Sequence, residues 1–232
     1  MGHPVGKMTR PGTIIRWHAL RRLLRSECGN RSLILDIGGY DGFIACNLER
    51  ACRDLFVAVV DMDMSGLIIA RGRGAHALCA SALALPFADS TCDVVLCLDL
   101  IEHVKDDEVL IGEIHRILKN GGTVVLTTPE ETGISFPFIG GEEMARVQKG
   151  WGHLRLGYRI DDIRRFFKAH SLIVEREGKY FNMVSRLAYR TLMLYGTPSR
   201  ASWWIFRGIA ALECVTTWGA QEHIVVGRKC DG

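Results

Sequence analysis

Four short stretches of this 232-residue chain hold the residue types that chemistry needs. The first, Asp36-Ile37-Gly38-Gly39-Tyr40-Asp41-Gly42, follows an apolar run. Its glycines let a backbone turn sharply and approach a ligand closely. The second, Val60-Asp61-Met62-Asp63, ends another apolar run, with Asp61 25 residues after Asp36. A carboxylate so placed can accept both hydroxyls of a ribose. Asp61 directly ends the run and is the favoured ribose ligand, while Asp63 stands where it would cap the following helix. The other two stretches carry histidines, in Glu102-His103 and in Gly152-His153. Imidazole titrates near neutral pH and suits a general base. Each pair also has a plainer role open to it, shaping or stabilising its loop. The first stretch lacks the GxGxxG spacing that a nicotinamide dehydrogenase uses.

These stretches need a scaffold, and the apolar pattern describes one. Strand-like runs occur at Leu33–Ile37, Leu55–Val60, Ala75–Cys79, Asp93–Leu98 and Thr123–Thr128. Helical spacing lies between them at Phe43–Cys52, from Gly66 to Arg71, and at Asp106–Lys119. In the last of these, Val109, Ile111, Ile114, Ile117 and Leu118 cluster on one side. Alternation of strand and helix with near-continuous apolar strands predicts a mostly parallel sheet covered on both faces. Ligands of such sheets bind beyond the carboxyl ends of the strands, where these stretches fall. After Pro129 the pattern loosens: Glu130–Tyr158 reads as a long loop, a lid or substrate loop. A helix at Asp161–His170 and strands at Leu172–Glu175 and His223–Val226 follow. Between those strands, Met183–Tyr195 reads as amphipathic, with Arg186 and Arg190 off the apolar face.

The segment from Ser81 to Gly122 is the most specific. It runs through Leu85-Pro86-Phe87, Asp93-Val94-Val95, Glu102-His103-Val104, and Glu113 to Gly121-Gly122. In order and spacing it resembles the type 11 group of class I methyltransferases, which use S-adenosylmethionine (SAM). The resemblance covers roughly residues 32–175. It implies a doubly wound α/β fold, Rossmann-like, with seven strands, the last antiparallel, plus an N-terminal helix and a helical insertion before the last strand. It implies SAM across the first two loops, held by Asp36, Gly38, Gly39, Tyr40, Gly42, Asp61, Met62, Ser81, Ala82, Leu83 and Asp99. It places His103 where the transferred methyl lies. The stretch from Gly152 to Tyr158 resembles a segment that borders the group's substrate pocket, which makes His153 the second catalytic candidate. Two positions depart from the group's pattern. Tyr40 replaces a central glycine, and Ser81 stands where an acidic residue often binds the adenine amino group.

Composition bounds the rest. At 48% hydrophobic and 24% charged, the chain has material for an ordinary globular core. Met1–Leu24 is Arg-rich without a continuous apolar stretch, so no secretory signal is expected, and no transmembrane helix is predicted. Eight scattered cysteines with no CxxC pair point to reduced thiols in the cytoplasm, several of them (Cys79, Cys97) as small core hydrophobes, and no metal site is expected. Net charge is +3, distributed as +6 over residues 1–31, −7 over 32–175 and +4 over 176–232. The acidic centre argues against a nucleic-acid substrate. The basic ends suit solvated helix faces or peripheral contact with an anionic membrane. Residues 1–31 read as a basic helical segment and 32–232 as the methyltransferase domain, with its core at 32–175 and a helical cap and last strand at 176–232. The function read from the sequence is methyl transfer from SAM to a small-molecule acceptor, lipid- or glycan-linked acceptors included. The alternative is a non-catalytic module on the same fold that binds SAM or a partner. The oligomeric state is open.

Overall fold

A computed structural model describes residues 9–28, 33–52, 55–194 and 199–230. Seven strands form one sheet: β1 (Leu33–Ile37), β2 (Phe56–Asp61), β3 (His76–Cys79), β4 (Cys92–Leu98), β5 (Leu118–Pro129), β6 (Leu172–Tyr180) and β7 (Glu222–Lys229). Their order is β3-β2-β1-β4-β5-β7-β6. The first five run parallel, and β7 lies antiparallel between β5 and β6. The order reverses between β1 and β4, so a crevice opens beyond their carboxyl ends.

Residues alternate between the two faces of each strand, and each face has its own helices. Leu35, Ile37, Val95, Cys97, Val124 and Leu126 pack under α4 (Asp107–Ile117) and α6 (Ile160–Ala169). Ile34, Val57, Val59, Val94, Leu96 and Val125 face α1 (Pro11–Cys28), α2 (Phe43–Ala51) and α3 (Met64–Gly72). From α1, Leu20, Leu24 and Cys28 are fully buried in this second cluster. Over the crevice a third cluster joins Ile14 and Ile15 of α1 to α5 (Gly141–Gly150), α7 (Met183–Tyr189) and α8 (Arg200–Ala210).

Several local expectations need correction. The stretch Glu130–Tyr158 is not all loop, since α5 lies within it, with Met144 and Gln148 turned inward. Helix α4 ends at Ile117 rather than Lys119, because Leu118 is extended and pairs with Cys92 of β4. The amphipathic reading of Met183–Tyr195 is reversed. Arg186 is buried, while Val184 and Leu187 are about 40% exposed (40% and 41%). The Arg186 guanidinium donates to the carbonyls of Ser135 (2.6 Å) and Gly219 (2.8 Å) and to Gln221 Oε1 (2.6 Å). It ties the cap to the sheet and cannot face a membrane. Tyr195 lies outside the described residues, as do residues 1–8 and 29–31 of the expected N-terminal segment. Cys79 is exposed because β3 is the edge strand, whereas Cys97 in central β4 is buried. No described helix is long and apolar enough to cross a membrane.

Candidate active site

Three non-glycine residues with left-handed backbones mark the crevice: Tyr40 after β1 (φ 45°), Asp99 after β4 (φ 48°) and Phe181 after β6 (φ 61°). Such strain persists only where the surroundings enforce it. At Tyr40 the enforcing contacts are visible. Its backbone N–H donates to Asp61 Oδ2 (2.9 Å), its ring lies against Gly66 of α3, and the Arg10 guanidinium stacks on it at 3.9 Å. Glycines make the close approach possible. A Cβ on Gly38 would meet Leu100 at 2.9 Å, and one on Gly39 would meet Asp36 Oδ2 at 2.5 Å.

The two aspartates after β2 divide as their positions imply. Asp63 Oδ1 accepts from the backbone N–H of Ser65 (2.8 Å) and Gly66 (3.4 Å), capping α3. Asp61 bridges the first two loops, accepting from Tyr40 and, at 2.8 Å, from the N–H of Asp63. Each of its oxygens keeps a further lone pair. Ser81 uses its hydroxyl locally, as acceptor for the Leu83 N–H at 3.1 Å.

Beyond β1 and β4 lies a cavity of about 440 Å³. Asp36, Gly38, Gly39, Tyr40 and Asp99 line it from the strand side, and His103 and His153 from the other. Gly42, Asp61, Met62, Ser81, Ala82 and Leu83 lie outside this cavity, in the loops that follow β1, β2 and β3. A larger groove, of about 830 Å³, opens at the opposite end of the sheet beside Lys229 and His115. It is shallow, and its Lys229 and Arg164 already hold the carbonyls of His115 and Leu118 and the carboxylate of Glu177.

The cavity is rich in carboxyl groups. Asp36, Asp99, Glu102 and Glu222 line it, together with Asp41, which pairs with Arg73 at 2.9 Å. The counter-charges are Arg10, stacked on Tyr40, and Arg16 of α1, which pairs with Asp99 and donates to the Tyr180 hydroxyl at 3.1 Å. Tyr180 in turn donates to Asp99 (3.0 Å), as does Thr127 (2.5 Å). Burial works against ionised Asp99, but Arg16 and these hydroxyls hold its carboxyl below the usual range. At Asp36, Glu102 and Glu222 burial outweighs such support. Burial pushes Asp36 up to about 7. Burial and the nearby Asp99 push Glu102 up to about 8 and raise Glu222 as well. One oxygen of each of these three carboxyls is buried without a hydrogen-bond partner. A cation entering the crevice would favour the ionised forms of these three carboxyls.

The loop after β4 continues as a single helical turn, Ile101–His103, and the segment from Gly152 to Tyr158 is pinned onto it. Leu154 N–H donates to the Glu102 carbonyl (3.0 Å), and Arg155 donates to the carbonyls of Val104 (2.7 Å) and Lys105 (3.0 Å). His103 Nδ1 lies 3.1 Å from the Gly152 carbonyl. A carbonyl only accepts, so Nδ1 carries the proton and Nε2 is left with its lone pair. The His103 and His153 rings meet edge to face, centroids 4.7 Å apart, and Trp151 lies 5.6 Å from His153. Burial lowers the basicity of both histidines, and the neighbouring His103 helps bring His153 to about 4. The two catalytic candidates, 50 residues apart in the chain, thus form one unit. Sequence reasoning missed Arg16, Tyr180 and Glu222. No local pattern marks them, because their elements come together only in the fold.

Residues 35–126 match the family model of a methyltransferase domain. An uncharacterized protein of Methanocaldococcus jannaschii is 36% identical over 96 residues, which are 40% of this chain and 39% of that one. The ubiquinone/menaquinone biosynthesis C-methyltransferase UbiE of Desulfotalea psychrophila is 30% identical over 143 residues, 58% of this chain and 57% of that one. The chain thus spans between about two fifths and three fifths of the length of these curated relatives. A crystal structure of a SAM-dependent methyltransferase from Methanosarcina mazei superposes with a TM-score of 0.63 at 13% identity, covering 92% of this chain and all (100%) of that one. The seven-stranded sheet with flanking helices agrees with that fold. Residues 35–126 are thus similar to methyltransferase domains in sequence, and the chain is similar to a SAM-dependent methyltransferase in fold.

Proposed function

We propose that this chain transfers the methyl group of SAM to a small-molecule acceptor held between the loop after β4 and the segment from Gly150 to His153. The observation that carries this reading is the acidic cavity at the β1–β4 switch point. Five carboxyl groups against the two guanidiniums of Arg10 and Arg16 suit a cofactor with a sulfonium and an ammonium group. In this reading the backbone of Gly38, Gly39, Tyr40 and Gly42 lies along the cofactor, and Asp61 takes the ribose hydroxyls. Met62, Ser81, Ala82 and Leu83 border the adenine, and Asp36 and Asp99 face the cationic end. SAM supplies an activated methyl; an acceptor lone pair attacks its carbon, and the C–S bond breaks with its electron pair passing to sulfur. This leaves S-adenosylhomocysteine, and the acceptor's proton must go to a base or to solvent. His103 and His153 stand on the acceptor side, where aligning the nucleophile is the protein's main task.

Ile134, Trp151, Phe181 and Tyr189 also line the cavity, which fits an acceptor with an apolar body, including a lipid-linked one. Exposed Trp204 and Trp218 on the cap fit peripheral membrane contact for such an acceptor. The test is calorimetry with SAM and S-adenosylhomocysteine, followed by release of S-adenosylhomocysteine across a panel of acceptors. Saturable SAM binding with turnover on an apolar acceptor is expected. No SAM binding at millimolar concentrations overturns the reading, and binding without turnover on any acceptor favours the non-catalytic module.

A further inference from the structure

The three side chains nearest the cavity's outer wall have an arrangement that methyl transfer alone does not explain. One ligand-type atom from each of Glu102, His103 and His153 lies within 4.8 Å of the other two. Each has an atom with nothing to bind. Glu102 is fully buried, and its Oε1 has no hydrogen-bond partner. His153 Nδ1 is buried and unpartnered too. His103 Nε2 keeps its lone pair, because Nδ1 donates to the Gly152 carbonyl. Burying such groups without partners costs free energy, and nothing in the local fold requires it.

The other ligand-type atoms of Glu102 and His103 are tied down. Glu102 Oε2 accepts from Thr128 Oγ1 at 3.1 Å, and the Gly152 carbonyl fixes the His103 ring. Metal ligands are held in this way: the outer atom of each ring or carboxylate is hydrogen-bonded so that the inner one is aimed. Charge agrees. Arg16 is engaged by Asp99, so Glu102 has no cation of its own. A cation with ligands at about 2.0–2.2 Å sets neighbouring ligand atoms about 3–3.5 Å apart. The set therefore closes by about an ångström, within reach of two half-buried imidazoles on loops.

We propose that Glu102, His103 and His153 bind one divalent transition-metal ion whose open positions face the cavity and take an oxygen of the acceptor. Two imidazoles and one carboxylate favour zinc, cobalt, manganese or iron over magnesium or calcium, which prefer oxygen ligands throughout. Three protein ligands leave coordination positions free, the pattern of catalytic rather than structural sites. Metal binding stands on this geometry alone, whereas the acceptor-oxygen half rests on the methyl-transfer reading above. A lone pair that holds a metal cannot also take a proton, so the ion replaces His103 as the group acting on the acceptor.

The experiment is a titration of the chelator-treated full chain with Co²⁺, followed by visible absorption, and with Mn²⁺, followed by electron paramagnetic resonance. One equivalent should bind, with d–d bands and without the charge-transfer band that thiolate ligands give. His153→Ala, on a loop where folding is not at stake, and Glu102→Gln should each weaken binding at least tenfold. The unfolding midpoint and SAM affinity of His153→Ala, measured in parallel, should stay as in the wild type. Absence of a saturable equivalent, a thiolate band, or unchanged affinity in both variants overturns the metal site. Full turnover in the chelated protein, lost in His103→Ala, overturns the acceptor half and makes His103 a direct base. Loss of SAM binding in the wild type tells against the cofactor reading and leaves the metal titration standing.

Discussion

Asp36 offers the sharpest test of the acidic crevice. Its carboxyl ends β1 with Oδ2 buried and unpartnered. Burial is the main cause of its shift from 3.8 to about 7, with Arg16 opposing and Asp61 and Asp41 adding to it. In the unfolded chain the same group ionises at its ordinary value. Between about pH 4 and 7 the ligand-free folded protein therefore holds a proton that the unfolded chain has lost. This contribution to stability is fully present below the unfolded value and is lost as pH rises through the folded one. At about 1.4 kcal/mol per pKa unit, the loss is about 4 kcal/mol over the whole window, with about 2–3 kcal/mol of it falling between pH 5 and 8. Asp36→Asn keeps the shape and removes the titration. The assay is urea unfolding of both proteins from pH 5 to 8.5, without ligand. The stability of the variant relative to the wild type should rise by that amount as pH increases and level off above about pH 7. SAM should bind the wild type more tightly as pH rises through the same range, because its cationic end favours the ionised carboxylate, and the variant should lose this trend. A stability difference that stays constant with pH would refute the argument, showing that water or local rearrangement solvates Asp36.

Two further outcomes follow from the loops and the cavity wall. Asp61→Ala should weaken SAM binding at least tenfold, about 1.4 kcal/mol, by calorimetry. Asp63→Ala should leave affinity within about twofold and instead cost about 1 kcal/mol of stability, the usual loss for a helix cap; the opposite pattern would mean the aspartates exchange roles. Arg16→Met should cost about 3–5 kcal/mol in denaturant unfolding at neutral pH, since it strands Asp99 and Glu222 without a buried cation. A loss below about 1 kcal/mol would mean that water already screens the pair.

How much of this was legible beforehand follows from what local sequence can record. Apolar runs such as Leu33–Ile37 and Asp93–Leu98 became β1 and β4 within a residue, because a strand buried on both faces must be apolar along its length. The cap at Asp63 was readable for a similar reason: a cap is a contact between near neighbours in the chain. The Leu85-Pro86-Phe87 and Glu102-His103 segments identified the domain type for the same stretch that the family model matches. Where a polar side chain finds its partner is a different kind of fact. Arg186 looked like an exposed charge beside an apolar stripe, yet it is buried because Ser135 and Gln221 wait for it across the cap. Cys79 looked like core until the strand order left β3 at the edge. Arg16 meets Asp99 from 83 residues away, and Tyr180 reaches the same carboxylate from 81. His103 and His153 were separate candidates in the sequence and became one cluster only when the segment after α5 closed over the turn after β4. Continuous apolar runs and contacts between near neighbours record the buried strands and the caps, and that much belongs to the sequence alone. Which distant groups share a desolvated space, and so which charges must be balanced there, is decided by the crossovers of the folded chain.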